Sequence, residues 1–438
     1  MIDIELIRKH LAKTEKNLAR RGVSNETLNK VKELDEEWRR LLGLAEEGRA
    51  KQNEANRVMQ ETPGQDKQKK IVELQKLSRE LKEQENVLEK ITIARNTAWY
   101  KLPNLVAADV PEGKGEANNK VLRQWGSINK FKFAPKEHWE LGKELRVIDM
   151  DRAAQVAGAR FNYLMGPLVQ LQFALIQLAL KVLTSEKTLA KIARQAGVVV
   201  PAKAFIPIVP PVFIRPQVFE RMARLEPRDE RYYIPSDDVF LIGSAEHTLG
   251  PLHMDEVLAE EVLPLRYLGY STSFRREAGS YGKDTKGIFR VHQFDKLEIE
   301  SFTTAENSLA EQEFIIAIQE HLMQQLKVPY RVVANAAGDM SDPDARQIDI
   351  EAWLPGQNKY RETHTSDLMT DYQARRLNTR LKRAAGKLEL VHMNDATVFA
   401  IGRTLIAIME NYQQADGSIN VPKVLQRWVG FKTIKKPE

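Results

Sequence analysis

Two long proline-free runs on either side of one tight turn constrain this chain more than any other feature. From about Leu28 to Met59 the sequence is rich in Glu, Lys, Arg, Gln and Leu. Its apolar residues recur at spacings of three and four: Val31, Leu34, Trp38, Leu41 and Ala45, then Ala55 and Met59. Such spacing lays one stripe along one helix face. Thr62-Pro63-Gly64-Gln65-Asp66 is a strong turn signal. A second helical run carries Leu74, Leu77, Leu81, Leu88, Ile91 and Ala98 on its stripe, with Gln84 and Arg95 at stripe positions that weaken the seam. Two helices of similar length around one turn make an antiparallel hairpin. At the α-helical rise, about 33 residues give an arm on the order of 50 Å long. So thin an arm has few residues for a core and is expected to project, either as a dimerisation coiled coil or as a rod touching an extended partner. Lys67, Lys69 and Lys70, with Arg49, Lys51 and Arg57 near the tip, could meet phosphates. A charge run alone is more often a solvated face.

After the arm comes a Pro/Gly/Asn-rich stretch, Leu102-Pro103-Asn104 and Val110-Pro111-Glu112-Gly113-Lys114-Gly115, and then the composition of a mixed globular domain. Helices are expected at Pro135–Leu145, Pro167–Leu183, Ser308–Leu326 and Arg403–Tyr412. Strands are expected at Phe205–Val209, Val239–Ile242, Leu265–Phe274, Gly287–Ile299, Tyr330–Ala334, Gln347–Trp353 and Val398–Ile401. Strands joined by tight loops favour an α+β fold with an antiparallel sheet over a doubly wound one. The net charge of +6 over 438 residues permits nucleic-acid binding without requiring it. With no cysteine, disulfides, thiolate zinc sites and a cysteine nucleophile are excluded. The charged start MIDIELIRKHLAKTEKN is no signal peptide. The apolar stretch Leu168–Leu183 is interrupted by Gln170, Gln172, Gln177 and Lys181, as in a buried helix rather than a membrane span. The expected compartment is the cytoplasm.

There is neither a Gly-x-x-x-x-Gly-Lys-Ser/Thr loop nor a Gly-x-Gly-x-x-Gly turn after a strand. A nucleotide would therefore need a sheet surface bearing fixed arginines. Tyr270–Glu300 offers one. An apolar strand runs into Phe274-Arg275-Arg276-Glu277, a loop with Lys283 and Lys286 follows, and a second strand carries Arg290, His292, Phe294, Lys296 and Glu298. Those even-numbered residues would share one pleated face. The plain alternative is a solvated hairpin with ordinary ion pairs, but cations, an aromatic ring and a carboxylate gathered on one face favour a site.

This segment resembles motif 2 of the class II aminoacyl-tRNA synthetases in the wording of the seryl-tRNA synthetase family. Gly402-Arg403-Thr404-Leu405-Ile406-Ala407-Ile408-Met409-Glu410-Asn411-Tyr412-Gln413 resembles motif 3, and Phe205–Phe213 the proline-bearing strand of motif 1. The resemblance covers nearly the whole chain. It implies a tRNA-binding coiled-coil arm at 1–102, a linker at 103–134 and, at 135–438, a catalytic domain whose mainly antiparallel sheet is flanked by helices.

The implied activity is serine adenylation by ATP with Mg²⁺, then transfer of serine to tRNA(Ser) and, where an organism has one, to tRNA(Sec). The implied assembly is a homodimer with no membrane or DNA partner. Arg275 would hold the α-phosphate and the attacked oxygen. Glu277 would accept from the adenine amino group, Phe294 and Arg403 would stack on its two faces with Arg403 reaching the γ-phosphate, and Val291 would give backbone contacts. Arg276 lies beside the nucleotide, in a more structural role. Glu362 and Thr365 match the family's Mg²⁺-coordinating Glu-x-x-Ser, with Thr363 and His364 between them in the ATP-binding run. Ser244, Ala245, Glu246, Glu298 and Thr397 map onto the serine pocket. Asp395 stands where the family writes Asn. The competing readings are an adenylating relative with another acceptor or another small amino acid, and a non-catalytic protein on the same fold. The intact arm and the surviving ATP residues argue against them.

Overall fold

The structure is a computed structural model of the chain, described here for all residues except 65, 279–283, 285 and 438. Lys283 and Gln65, singled out above, thus lie outside the described residues. The chain divides into two compact units, Met1–Leu105 and Val106–Glu438.

The first unit has two short helices, α1 (Ile4–Lys9) and α2 (Leu11–Ala19), before the long pair α3 (Asn25–Glu61) and α4 (Lys67–Tyr100). The Ser24 side chain caps α3 by accepting from the Thr27 amide at 3.2 Å. The stripe residues Leu28, Val31, Leu41, Ala45 and Leu81 are buried. Arg95 does not weaken the seam as expected. Its guanidinium lies 4.3 Å from the Trp38 ring centroid and 4.8 Å from that of Trp99. Its Nε donates to Asp35 at 2.8 Å, and Arg8 binds the same carboxylate at 2.7 and 2.9 Å. Nearer the turn the hairpin is tied by polar pairs, Gln52 to Ser78 at 2.6 Å and Arg49 to Glu85 at 2.8 Å.

The second unit is built on a sheet of eight strands. In chain order these are β1 (Lys120–Trp125), β2 (Ile206–Ile208), β3 (Leu265–Phe274), β4 (Gln293–Thr303), β5 (Tyr330–Ala334), β6 (Arg346–Leu354), β7 (Lys359–Thr370) and β8 (His392–Ala400). The spatial order is β1-β5-β6-β7-β8-β4-β3-β2. Every neighbouring pair is antiparallel except β2 with β3. The stretch expected as a linker supplies the edge strand β1. The expected strand at Gly287–Ile299 begins only at Gln293, so Arg290 and His292 lie in the preceding loop.

Helices α5 (His138–Glu144), α6 (Pro167–Leu183), α7 (Glu186–Ala196), α8 (Glu246–Leu249), α9 (Ser308–Leu326) and α10 (Ile401–Asn411) complete the parts used below. α9 packs on β7 and β8, and α10 on β4 and β6. Their apolar sides join those of α6 and of the sheet in one core that includes Leu175, Phe314, Ile350 and Leu405. That packing leaves the other sheet face for polar residues. Among the described residues no single helix is long and apolar enough to cross a membrane.

Candidate active site

Two β-bulges shape the wall of the site. In β7, Glu362 and Thr365 are three residues apart, so a regular strand would point them to opposite faces. Opposite β6, however, Ile350 pairs with His364 and Glu351 with Glu362, which leaves Thr363 as an extra residue. Glu362 and Thr365 consequently line one cavity together. In β8, Glu298 pairs with Thr397 while Leu297 pairs with Phe399, so Val398 is the extra residue there, and Thr397 and Ala400 both reach the same cavity.

Arg275, at the end of β3, is fixed by its backbone amide donating to His292 O and by its Nε donating to Gly243 O, both at 3.0 Å. Its guanidinium stands 5.3 Å from the Phe294 centroid. Gly243 also donates its amide to His247 Nδ1 at 3.0 Å. A Cβ on Gly243 would come within 3.0 Å of Arg231 Nη1 and 3.3 Å of His247 Cε1, so any larger residue there would push on the side chains around Arg275. Burial lowers the His247 pKa to about 4. The neutral ring therefore accepts at Nδ1 and offers its Nε2 proton towards Glu246 Oε1, 3.4 Å away.

The opposite wall is Arg403, at the start of α10. Its Nη1 donates to Glu362 Oε1 at 2.7 Å, and its guanidinium lies 4.6 Å from the Phe289 centroid. Arg361 covers Phe289 at 3.7 Å. Burial raises the Glu362 pKa, but Arg403, Lys296 and Arg275 outweigh it and hold this carboxyl below its ordinary value. Glu277 takes a left-handed backbone conformation (φ 52°), uncommon outside glycine, and its Oε2 accepts from Arg290 Nη1 at 3.3 Å. Deeper in, Lys296 and the Ser244 hydroxyl both contact the Glu298 carboxylate. Lys296 Nζ is 3.3 Å from Ser244 Oγ, and Thr397 Oγ1 is 3.4 Å from Glu298 Oε1. Burial, opposed by Lys296 but reinforced by Glu246, holds the Glu298 pKa above the ordinary range. Glu246 sits well below it, because Arg224, His247 and Lys296 overcome its burial.

The structure thus brings Arg275, Glu277, Val291, Phe294, Glu362, Thr363, Thr365, Thr397 and Arg403 to one cavity. Glu246 and Glu298 line an adjoining one that shares Arg275, Lys296 and Glu362. Four expected residues line neither: His364, Arg276, Ala245 and Ser244. His364 is fully buried on the opposite sheet face, 6.0 Å from the Phe399 ring, and burial lowers its pKa to about 4. Arg276 turns away, with its guanidinium 5.7 Å from the Tyr232 centroid. Ala245 is fully buried. Ser244 acts through Glu298 and Lys296 from a fully buried position. The Thr363 hydroxyl is occupied by Ile350 O at 3.1 Å and His364 Nδ1 at 2.8 Å. Sequence reasoning missed Phe289, which meets the guanidinium groups of both Arg361 and Arg403, and Arg224. Phe289 lay in the motif next to Arg290; nothing near Arg224 marked it.

An antiparallel sheet that presents fixed arginines, an aromatic ring and carboxylates above a bulged strand is the arrangement of a class II aminoacyl-tRNA synthetase core. Residues 231–412 match the family described as tRNA synthetase class II core domain (G, H, P, S and T), and residues 1–106 match the seryl-tRNA synthetase N-terminal domain. Serine--tRNA ligase of Fervidobacterium nodosum is 36% identical over 443 residues, covering 100% of both chains. That of Thermosipho africanus is 38% identical over 445 residues, covering 99% of this chain and 100% of its own. The crystal structure of the Pyrococcus horikoshii seryl-tRNA synthetase complexed with ATP superposes with a TM-score of 0.88 at 34% identity, over 100% of both chains. The cytoplasmic serine-tRNA ligase of Naegleria fowleri in complex with AMP gives 0.83 at 30%, over 100% of this chain and 99% of that one. The chain belongs to the seryl-tRNA synthetase family.

Proposed function

We infer that this protein activates L-serine with ATP, releasing pyrophosphate, and transfers the serine from the adenylate to tRNA(Ser). The observation that carries the reading is the convergence of Arg275, Phe294, Glu362 and Arg403 on one cavity, with Glu246 and Glu298 beside it. No side chain needs to be a nucleophile. The serine carboxylate attacks the α-phosphorus and the bond to pyrophosphate breaks; the terminal tRNA hydroxyl then attacks the adenylate carbonyl, the acyl–phosphate bond breaks and AMP leaves, with the hydroxyl proton lost to it or to solvent. Arg275, anchored through Gly243, stabilises the charge that develops on the phosphoryl oxygens. Arg403 and Phe294 confine the nucleotide, and Glu277 accepts from its base. Glu298 and Glu246 take the substrate ammonium, and Thr397 takes its hydroxyl. Glu362 and Thr365 offer oxygen donors of the kind Mg²⁺ prefers when phosphates and water complete its shell. When bound there, Mg²⁺ would neutralise phosphate charge.

The hairpin arm, 1–102, serves tRNA through its exposed lysines, and tRNA(Sec) would be read by the same element. The second unit carries exposed apolar side chains in and near α6 and β2: Phe173 is 55% exposed and Val209 79%. These support a homodimer paired through that region. We place this activity in the cytoplasm, where charged tRNA is used.

The deciding test is amino-acid-dependent exchange of pyrophosphate into ATP across the twenty amino acids. Serine is expected to drive it best, with threonine and alanine poor. Exchange driven best by another of them refutes the specificity, and no exchange with any refutes the enzyme. Sedimentation of a fully active monomer would refute the dimer.

A further inference from the structure

Behind the serine-contacting residues the same sheet face carries a second row of carboxylates. Glu298 and Glu300 are two residues apart on β4, as are Thr397 and Asp395 on β8 and Thr365 and Asp367 on β7, so each pair shares a face. Glu300 pairs with Asp395 across β4 and β8, and Asp395 pairs with Asp367 across β8 and β7. Three acids thus lie side by side, one pleat beyond Glu298 and Thr397. Arg224 reaches into them: its Nη2 is 3.0 Å from Asp395, 3.5 Å from Asp344 and 3.9 Å from Asp367, and its Nε is 3.4 Å from Glu246.

One arginine does not satisfy this group. Glu300 is fully buried, and among the described residues neither of its carboxylate oxygens has a hydrogen-bond partner. Asp367, 6% exposed, lines the adjoining cavity, and its Oδ1 likewise lacks a partner. The cavity wall carries Glu230, Glu246, Glu277, Glu298, Glu362, Asp367 and Asp395 against Arg224, Arg231, Arg275, Arg290 and Lys296, and the buried Glu300 and Asp344 add to the acids. Acids therefore outnumber bases. Buried carboxylates in excess must either hold protons or receive another cation. No group of three or more acids or histidines among the described residues is arranged to hold a metal ion. An ammonium group needs no such convergence, because it donates in three directions.

We propose that the amino-acid pocket, besides serine, takes a short diamino acid whose side-chain ammonium lies on the Glu300–Asp395–Asp367 row. The inference rests on the adenylating function proposed above. The α-ammonium stays with Glu246 and Glu298, and the second amine points towards the next row, whose backbone lies one two-residue repeat, about 7 Å, along the strand and whose carboxylate side chains reach back across part of that distance. The chemistry is unchanged: the substrate carboxylate oxygen bonds to the α-phosphorus, the bond to pyrophosphate breaks, and the diamino acid leaves as its adenylate. Serine has no group that reaches the second row, which accounts for carboxylates there that serine recognition does not use.

The test is pyrophosphate exchange by the purified full-length chain with ATP and Mg²⁺. The probes are L-2,3-diaminopropionate, L-2,4-diaminobutyrate and L-ornithine, with serine and alanine as references. At least one diamino acid is expected to exceed alanine by on the order of tenfold in kcat/KM, the loss typical of an unmade charged hydrogen bond. The double change Glu300→Gln with Asp367→Asn should lower the diamino-acid-to-serine ratio of kcat/KM by a similar factor. Should that variant fail to fold, ATP with a diamino acid should raise the Tm of the unmodified chain above ATP with alanine. Serine-dependent exchange with no diamino acid above alanine overturns this inference and leaves the serine reading standing. An unchanged ratio in a folded double variant also overturns it. No exchange with any amino acid overturns the adenylating function itself, and this inference with it.

Discussion

Replacing Arg275 tests the chemistry most directly. Its Nε is spent on Gly243 O at 3.0 Å, which fixes the guanidinium plane and leaves the two Nη groups to the cavity that Arg275 lines. A cation held this way needs no reorganisation when negative charge develops on the phosphorus. Losing one such donor costs about 3–4 kcal/mol, or roughly 10²–10³ in kcat. Arg275→Ala should show that loss in serine-dependent pyrophosphate exchange, with the KM for serine within about threefold of the original, because the interaction strengthens in the transition state. Arg275→Lys keeps the charge but loses the anchor and the fork, so it should fall between, at about 1–2 kcal/mol. A folded alanine variant that keeps more than about a third of kcat refutes the reasoning. A variant that raises KM at constant kcat refutes it as well, by making Arg275 a uniform binding group.

Arg266 on β3 is fully buried; it donates to both oxygens of Glu311 at 2.6 and 2.7 Å and to Pro201 O and Lys203 O at 2.8 Å, so Arg266→Met, which strands Glu311, should cost about 3–5 kcal/mol in chemical denaturation, and a loss under about 1 kcal/mol would contradict it. Burial raises the Asp35 pKa, but Arg8 and Arg95 outweigh it and hold it below the ordinary value. Its stabilisation of the arm is therefore fully present above the unfolded Asp pKa and lost as pH falls through the lower folded one. Asp35→Asn should reduce amide protection in α1 and α4 at neutral pH, and the difference from the parent chain should vanish in strong acid; a difference that persists there argues against the ion-pair account. Deleting about Glu33–Lys90 and closing the gap with a short turn should spare pyrophosphate exchange and sharply reduce serine transfer to tRNA, and undiminished charging would show that the arm does not read tRNA.

Much of the fold was legible because long periodic runs leave few alternatives. Pro167–Leu183, Ser308–Leu326 and Leu265–Phe274 have the bounds their apolar patterns suggest. β7 went unread, because Lys359–Thr370 alternates poorly once Thr363 is inserted as a bulge. That bulge is also what allows Glu362 and Thr365 to face one cavity, a relation that linear spacing contradicts. Arg95 was misread for a different reason. A charged residue at a stripe position looks like a flaw until its partners are known, and Asp35, Trp38 and Trp99 are too far along the chain to be inferred from the stripe. His364 was placed by its neighbours in the motif, whereas the pleat turns it into the core. Arg224 had no local signal at all: it is defined only by the carboxylates that β7, β8, α8 and the loop before β6 bring around it.

The charged side chains assigned to ligands are, in the protein alone, largely one another's partners. Arg403 holds Glu362, Arg290 holds Glu277, and Lys296 holds Glu298. Each pair joins a group suited to a phosphate, a loop or a wall with a carboxylate suited to a metal, a base or an ammonium. Within each pair the charges offset one another, and the partner holds each side chain near its working position. Binding then becomes an exchange of partners rather than an ordering of free side chains. In the proposed function, a γ-phosphate recruiting Arg403 would release Glu362 for a cation, and a substrate ammonium recruiting Glu298 would release Lys296 towards the carboxylate end of the same molecule. Each substrate would then free the group that the next one needs, a coupling that would be reciprocal by linkage. On this account serine should bind more tightly with ATP present than without it. Glu362→Gln, which removes the charge holding Arg403 back, should reduce that coupling in calorimetric titration. Equal serine affinities with and without ATP in the unmodified chain would mean that the pairs are merely solvated neighbours.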